Sequence, residues 1–201
     1  MLSRSFPLWV FTLFFQLIVF STEARVREVS AAVGEWPPYI YCDSGAHGVL
    51  IDVVRAAYAE VAVSASFECF PWARSFSLTR EGVYDTSFPW SRSAERQKIF
   101  YFSEPVISDY SVFFHLKNRS FPKLSTELNI ENLSPYKIGG TIGYYYGPLL
   151  EEFDEKFGLQ RAKSDELNFK KLLRGRIDLF PINFQVGYYL LSKLPPNPET
   201  G

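Results

Sequence analysis

Residues 48–69 read GVLIDVVRAAYAEVAVSASFEC, and the two periods in this stretch decide the fold. Ile51, Val54, Ala57, Tyr58 and Val61 recur at three- and four-residue spacing, the pattern of a helix lying on a sheet. Directly after them Ala65, Phe67 and Cys69 alternate with polar neighbours, which is the period of a strand. Upstream, Val29, Ala31 and Val33 alternate in the same way until Gly34 and Pro37-Pro38 end the run. Strand, helix and strand in this order form a βαβ unit, with a crossover long enough for two parallel strands to be neighbours in one sheet.

Working outward, Pro71 can open another helix, because the N–H its ring lacks would be an orphan there in any case. Gly82 can close that helix in the left-handed conformation, and Tyr84 to Phe88 is then expected as a third strand. The same grammar returns in the second half. Lys137 to Gly140 reads as a strand, Leu149 to Phe157 as a helix capped by Gly158, and the region near Arg161 as a short strand. A helix from Asp165 to Arg174, ended by Gly175, leads to a strand from Ile177 to Ile182. Gly82-Val-Tyr-Asp85 and Gly175-Arg-Ile-Asp178 hold corresponding places between helix and strand, which points to two related α/β lobes. An Asp at a strand entrance also has a plainer use, bonding local backbone.

The bulk numbers exclude some classes of function. With 201 residues, 47% of them hydrophobic, and a net charge of −1, the chain is expected to be a packed globule, and its scattered Lys and Arg give no footprint of the basic face that nucleic acid requires. Arg4 precedes the apolar run LWVFTLFFQLIVF at residues 8–20, and Ser21, Thr22 and Ala24 follow it, which is the order of a signal peptide. That run falls short of the roughly 20 residues a membrane-spanning helix needs, so residues 1–24 are read as a leader cleaved after Ala24. The first cysteine is Cys42, too late for a lipoprotein, so the product is expected to be soluble and periplasmic. Cys42 and Cys69 are either a disulfide or two buried thiols. His47 and His115 stand apart in the sequence and no CxxC is present, so neither metal nor cofactor is expected.

Five segments together carry a resemblance: Gly34-Glu-Trp-Pro-Pro-Tyr39, Gly48 to Val54, Gly82-Val-Tyr-Asp85, Ser93-Ala-Glu-Arg96 followed by Phe102-Ser-Glu-Pro105, and Gly175-Arg-Ile-Asp178. In this order and spacing, over residues 29–190, the chain resembles the bacterial extracellular solute-binding proteins of family 3. The resemblance implies a two-lobed α/β fold of the periplasmic-binding-protein-like type II, each lobe a mostly parallel sheet flanked by helices. Lobe 1 is expected over residues 25–105, lobe 2 over 106–190 and a short tail over 191–201. Members of the family continue further to complete the first lobe, so that lobe is expected to be incomplete here. The implied function is capture of a small polar, carboxylate-bearing solute by a monomer, without chemistry, for uptake through a membrane permease of the ABC type. The alternative partner is a membrane sensor.

The physical requirements of such a site select residues. A carboxylate is best held by a guanidinium, whose planar fork matches its two oxygens, and Arg96 follows the expected third strand near the carboxyl edge of the first sheet. The bland alternative is a surface pair of Arg96 with Glu95 or Glu104. By resemblance, Ser91 helps to hold the same carboxylate. Gly139-Gly140-Thr141 ends a strand before a helical segment, where exposed N–H groups and the Thr141 hydroxyl would complete an anion cradle. Asn183 lies five residues after Asp178, where amino-acid-binding members of the family carry an acid for the ligand's ammonium group; Asn brings no charge, and Glu35 or Asp43 are the acids that would replace it. Trp36, Tyr39, Tyr41 and Trp90 are expected as aromatic walls, and Arg74 as a further cation facing the cleft.

Closure is expected about strands near Pro105 to Ser111 and Phe184 to Leu194. A rival reading is a lyase on the same fold, with Glu35, Asp43 or Glu68 as acid or base. No Ser/His/Asp set or paired-acid motif supports it, and no enzyme is expected.

Overall fold

The computed structural model describes residues 27–194, so the leader expected over 1–24 and most of the tail expected over 191–201 lie outside the described residues. In lobe 1 the decisive βαβ unit forms as β1 (Arg27–Val33), α1 (Val49–Ala59) and β2 (Val63–Cys69), with the strands parallel and Val29 opposite Ala65. Leu50, Ile51 and Val54 bury the face of α1 that meets the sheet. Tyr58 also packs against this core, whereas Ala57 is exposed beside it and Val61 falls in the turn beyond the helix. α2 (Trp72–Arg80) covers the other side of β1, with Pro71 as its cap and Gly82 left-handed at φ 72° just beyond its end.

The third strand expected at Tyr84 to Phe88 does not form. Thr86 makes a single parallel bridge with Ala31, and the Asp85 carboxylate takes the N–H and the hydroxyl of Ser30 at 2.8 and 2.7 Å. Thr86 makes backbone hydrogen bonds with Ser30 and Ala32 at 3.1 and 3.0 Å, and beyond it Ser87 reaches β1 through its side chain, donating to the Ala32 carbonyl at 2.5 Å. The segment then leaves the sheet edge toward the short helix α3 (Ala94–Gln97).

Lobe 2 contains β3 (Ser111–Phe114), α4 (Pro122–Thr126), α5 (Ile130–Leu133), β4 (Gly139–Thr141), α6 (Pro148–Phe157), β5 (Gln160–Ala162), α7 (Asp165–Leu173), β6 (Phe180–Asn183) and α8 (Phe184–Lys193). β4 pairs in parallel with β5, Ile138 bridges Leu179 on its other side, and β6 pairs antiparallel with β3. The strands therefore run in the order β5, β4, β6, β3. The strand expected from Ile177 starts only at Phe180, because Ile177 and Leu179 turn into the core as the chain enters the sheet. Asp178 repeats the part played by Asp85: it accepts the Lys137 N–H at 2.8 Å and an Arg119 N–H at 2.6 Å. The two Gly-x-x-Asp copies thus do similar structural work, Asp85 fastening its loop to Ser30 within β1 and Asp178 fastening its own to Lys137 just ahead of β4.

The expectation of strands near Phe184 to Leu194 is corrected: those residues form α8, because the Asn183 side chain accepts the Val186 N–H at 2.9 Å and caps a helix there. The antiparallel pair next to the crossing segments is β3 with β6. Phe153, Phe169 and Phe180 are fully buried in this lobe, each worth about 1.5–3 kcal/mol relative to an exposed ring.

Gly187 allows α8 to approach β3. A Cβ at that position would lie 2.3 Å from the Phe114 ring, which is itself wedged against Phe169 and Tyr188. Gly187→Ala is therefore expected to destabilise the fold by about 1–3 kcal/mol through overpacking, with up to about 1 kcal/mol returned by helix propensity. A raised melting temperature in thermal unfolding would show the contact to be soft.

Candidate functional site

Arg96 comes from α3, whose cap Ser93 accepts the Arg96 N–H at 3.2 Å. Its guanidinium donates to the Ser91 carbonyl at 2.8 Å, within lobe 1, and to the Gly143 carbonyl at 3.1 Å, in lobe 2. The guanidinium carbon stands 4.9 Å from the centre of the Trp90 ring and 5.9 Å from that of Tyr145. Burial lowers the proton affinity of the guanidinium while Glu151 works against that shift, and an arginine so placed keeps its charge. The surface pair with Glu95 or Glu104 is not formed; Glu95 is taken by Lys98 at 2.6 Å. Arg96 is thus a half-buried cation between two aromatic rings that joins the lobes through neutral carbonyls.

Trp90 is held by its own neighbours. Its indole N–H donates to the Ser87 hydroxyl at 2.8 Å, and its ring meets Trp72 and Phe76 edge to face. Trp72 donates to the Glu35 carbonyl at 3.1 Å and lies so close to Gly34 that a Cβ there would sit 2.5 Å from the indole. Gly34 is therefore a close-approach glycine as well as the end of β1. Trp36 and Tyr39 lie 4.7 Å apart with their rings tilted by 33°, and both pack against the lobe 1 core and the cluster of Phe169, Phe180 and Val186 in lobe 2. Tyr41 lies against His47 and the edge of Tyr189. Arg74 is exposed on the first turn of α2, next to Ala73, whose backbone N lies 3.9 Å from where a Cβ would stand on Gly143 of lobe 2. A disulfide joins Cys42 to Cys69, whose Cα atoms are 5.9 Å apart, and ties the loop after Tyr39 to the end of β2.

The expected anion cradle in lobe 2 is not formed. Thr141 is buried, its N–H donates to the Tyr146 hydroxyl at 2.7 Å, and its hydroxyl donates to the Asp165 carboxylate at 2.5 Å while accepting from Asn168 at 3.0 Å. The Tyr144 hydroxyl takes the other Asp165 oxygen at 3.1 Å. These donors point into the lobe because Asp165, at the start of α7, is buried and demands them. Burial raises the Asp165 carboxyl to about 6 despite both hydrogen bonds, and pushes the Tyr144 and Tyr146 phenols upward. What lobe 2 presents to Arg96 is the loop beyond, through the Gly143 carbonyl and the Tyr145 ring.

Asn183 is also buried. Besides capping α8, it donates through its amide to Asp109 at 2.7 Å. Asp109 lies in the segment that crosses between the lobes, and the amide places an acid beside the position where the sequence offered none. Ser91 contributes a carbonyl to Arg96, and its hydroxyl is exposed. Glu35, Asp43 and Glu68 are all exposed, and Asp43 pairs with His47 at 3.6 Å. Among the described residues no group of His, Cys, Asp or Glu is arranged to hold a metal, and no helix is long and apolar enough to cross a membrane.

Tyr145, Gly143, Asp109 and Asp165 were not singled out by sequence reasoning. The run Tyr144-Tyr-Tyr146 was the available signal for the first of them, but only the middle ring meets Arg96. Nothing in spacing or period marks the others.

The geometry agrees with what comparison finds. A model of the bacterial extracellular solute-binding proteins, family 3, matches residues 29–180. No curated protein sequence matches the chain. Among solved structures, a histidine kinase sensor domain with similarity to periplasmic binding proteins is 19% identical with a TM-score of 0.73, over 84% of this chain and 73% of that one. An ancestral arginine-binding protein bound to arginine is 18% identical with a TM-score of 0.68, over 84% and 75%. An ABC uptake transporter substrate-binding protein from Streptococcus pneumoniae, with bound histidine, is 14% identical with a TM-score of 0.64, over 82% and 69%. At such identities the likeness establishes the two-lobed periplasmic-binding-protein-like fold.

Proposed function

From the premise that the chain belongs to the bacterial extracellular solute-binding proteins, family 3, we propose that it is a periplasmic receptor that captures a free amino acid between its lobes and does no chemistry on it. The observation that carries this reading is the Arg96 guanidinium, half-buried between Trp90 and Tyr145 and bonded to a carbonyl from each lobe. A ligand carboxylate replaces those neutral acceptors with a charge-assisted, two-pronged pair, roughly twice as strong per bond. Asp109, oriented by Asn183, supplies the counter-charge for the ammonium group that Asn183 itself lacks. Trp36, Tyr39 and Trp90 cover the side chain, and the charge of Arg74 adds to the attraction for the anionic end.

In this reading the contacts made only when the lobes meet drive closure, and the loaded monomer delivers its solute to a membrane permease. The histidine kinase sensor domain among its structural neighbours favours a second reading, in which occupancy is passed to a membrane receptor. Both share the same capture step.

Thermal-shift and calorimetric titration with amino acids, their methyl esters and their deaminated analogues tests that step. A ligand that binds only the folded state raises its melting temperature, by an amount set by concentration over Kd. The expected result is stabilisation by one class of amino acid, with neither the ester nor the deaminated analogue able to replace it, and full recovery of the ligand unchanged. Equal stabilisation by the esters would remove the carboxylate clamp from the account, and consumption of the ligand would make the protein an enzyme.

A further inference from the structure

Lys163, Lys170, Lys171, Arg174 and Arg176 line a groove of about 390 Å³ on lobe 2 together with Ala162 and Leu167. The spacing of α7 makes this surface. Asp165, Asn168, Phe169 and Leu172 turn inward, so Leu167, Lys170, Leu173 and Arg174 are left on the outer side. Among the described residues no carboxylate comes within ion-pair distance of these five cations, although the other ion pairs of the lobe are formed. Lys171 uses its ammonium on the Gln160 carbonyl, and burial lowers its proton affinity. A concentration of unpaired cations on a chain whose net charge is −1 calls for an anionic counterpart.

We propose that this face docks on an anionic lipid surface. Leu167 and Leu173 stand 43% and 39% exposed on the same helix as Lys170 and Arg174. A lipid interface satisfies both kinds of residue, taking leucines at the boundary of the acyl chains and cations on headgroup phosphates. An acidic protein segment would answer the charges and leave the leucines in water. β5 is the edge strand farthest from β3, and the groove runs from Ala162 and Lys163, at the end of β5, along α7 to Arg176.

Sedimentation of the full chain with phosphatidylcholine vesicles, with or without about one-third phosphatidylglycerol, tests the proposal at low salt, where each cation near an anionic surface contributes about 1 kcal/mol. The anionic vesicles are expected to retain the protein. The double substitution Lys170→Glu with Arg174→Glu is expected to reduce that retention by about tenfold or more, since it both removes and reverses two charges. Arg55→Glu with Arg80→Glu on lobe 1 changes the net charge equally and is expected to leave retention near that of the unaltered chain. Any contribution from the apolar leader is common to all three proteins. Equal retention of the two double variants would overturn the proposal. So would retention of the unaltered chain by immobilised polyglutamate but not by anionic vesicles, which would assign the face to an acidic protein.

Discussion

Arg96→Ala is expected to weaken capture of a carboxylate-bearing solute by about 10- to 150-fold, because a hydrogen bond to a charged group is worth about 1.5–3 kcal/mol. The substitution removes two things together: the cation a ligand carboxylate would meet, and the bond from α3 to the Gly143 carbonyl that joins the lobes. Arg96→Lys separates them. A lysine keeps the charge but lacks the planar fork and the broad face that lies over Trp90, so most of the loss is expected to remain. Calorimetry with a ligand found in the thermal-shift screen measures both variants, and small-angle scattering reports whether the empty variant opens. An Arg96→Ala protein with unchanged affinity would show that the cation only braces the lobes. The fold should survive, since Arg96 is half-exposed and belongs to none of the buried clusters.

Much of the fold was legible because period and punctuation agree. The apolar face of α1, the alternation in β2, and Gly82 and Gly158 as left-handed stops are all local signals, and each marks an element observed within a residue or two. The errors fall where pairing stops after a single bridge or where a side chain begins a different element. Backbone pairing with β1 reaches only Thr86 before the chain leaves the sheet edge, while Asn183 caps α8 where an extended segment was expected.

The site was legible only in its cation. Arg96 stands out as a guanidinium placed after a strand segment, whereas its partners Gly143 and Tyr145 reach it across the gap between lobes, a distance that no periodicity encodes. Thr141 was misread for a related reason. Its exposure depended on Asp165, which lies on another helix and turns its donors inward.

That same carboxylate gives the protein a pH dependence of unusual sign. The Asp165 carboxyl is raised from 3.8 to about 6 chiefly by burial, so the folded state holds its proton more tightly than the unfolded chain does. The stability it contributes is fully present below pH about 4 and is lost as pH rises through about 6, a change on the order of 3 kcal/mol at 1.36 kcal/mol per pH unit. Asp85 and Asp154, whose carboxyls are held below their usual range, act in the opposite direction, so the total curve hides the effect. The difference between the native chain and Asp165→Asn isolates it. Near pH 4 the Asp165 carboxyl is protonated and, like an asparagine amide, carries a carbonyl oxygen and a donor, so the variant serves as a reference that does not titrate. Between pH 4 and pH 7 the gap, followed by urea denaturation, is expected to move toward the variant by about 2 kcal/mol. A gap that stays constant with pH would mean that Asp165 is ionised throughout, with Thr141, Tyr144 and the start of α7 together compensating for its burial. In that case the loop that brings Gly143 and Tyr145 to Arg96 would rest on a fixed negative charge, and ligand affinity should likewise be flat across this range.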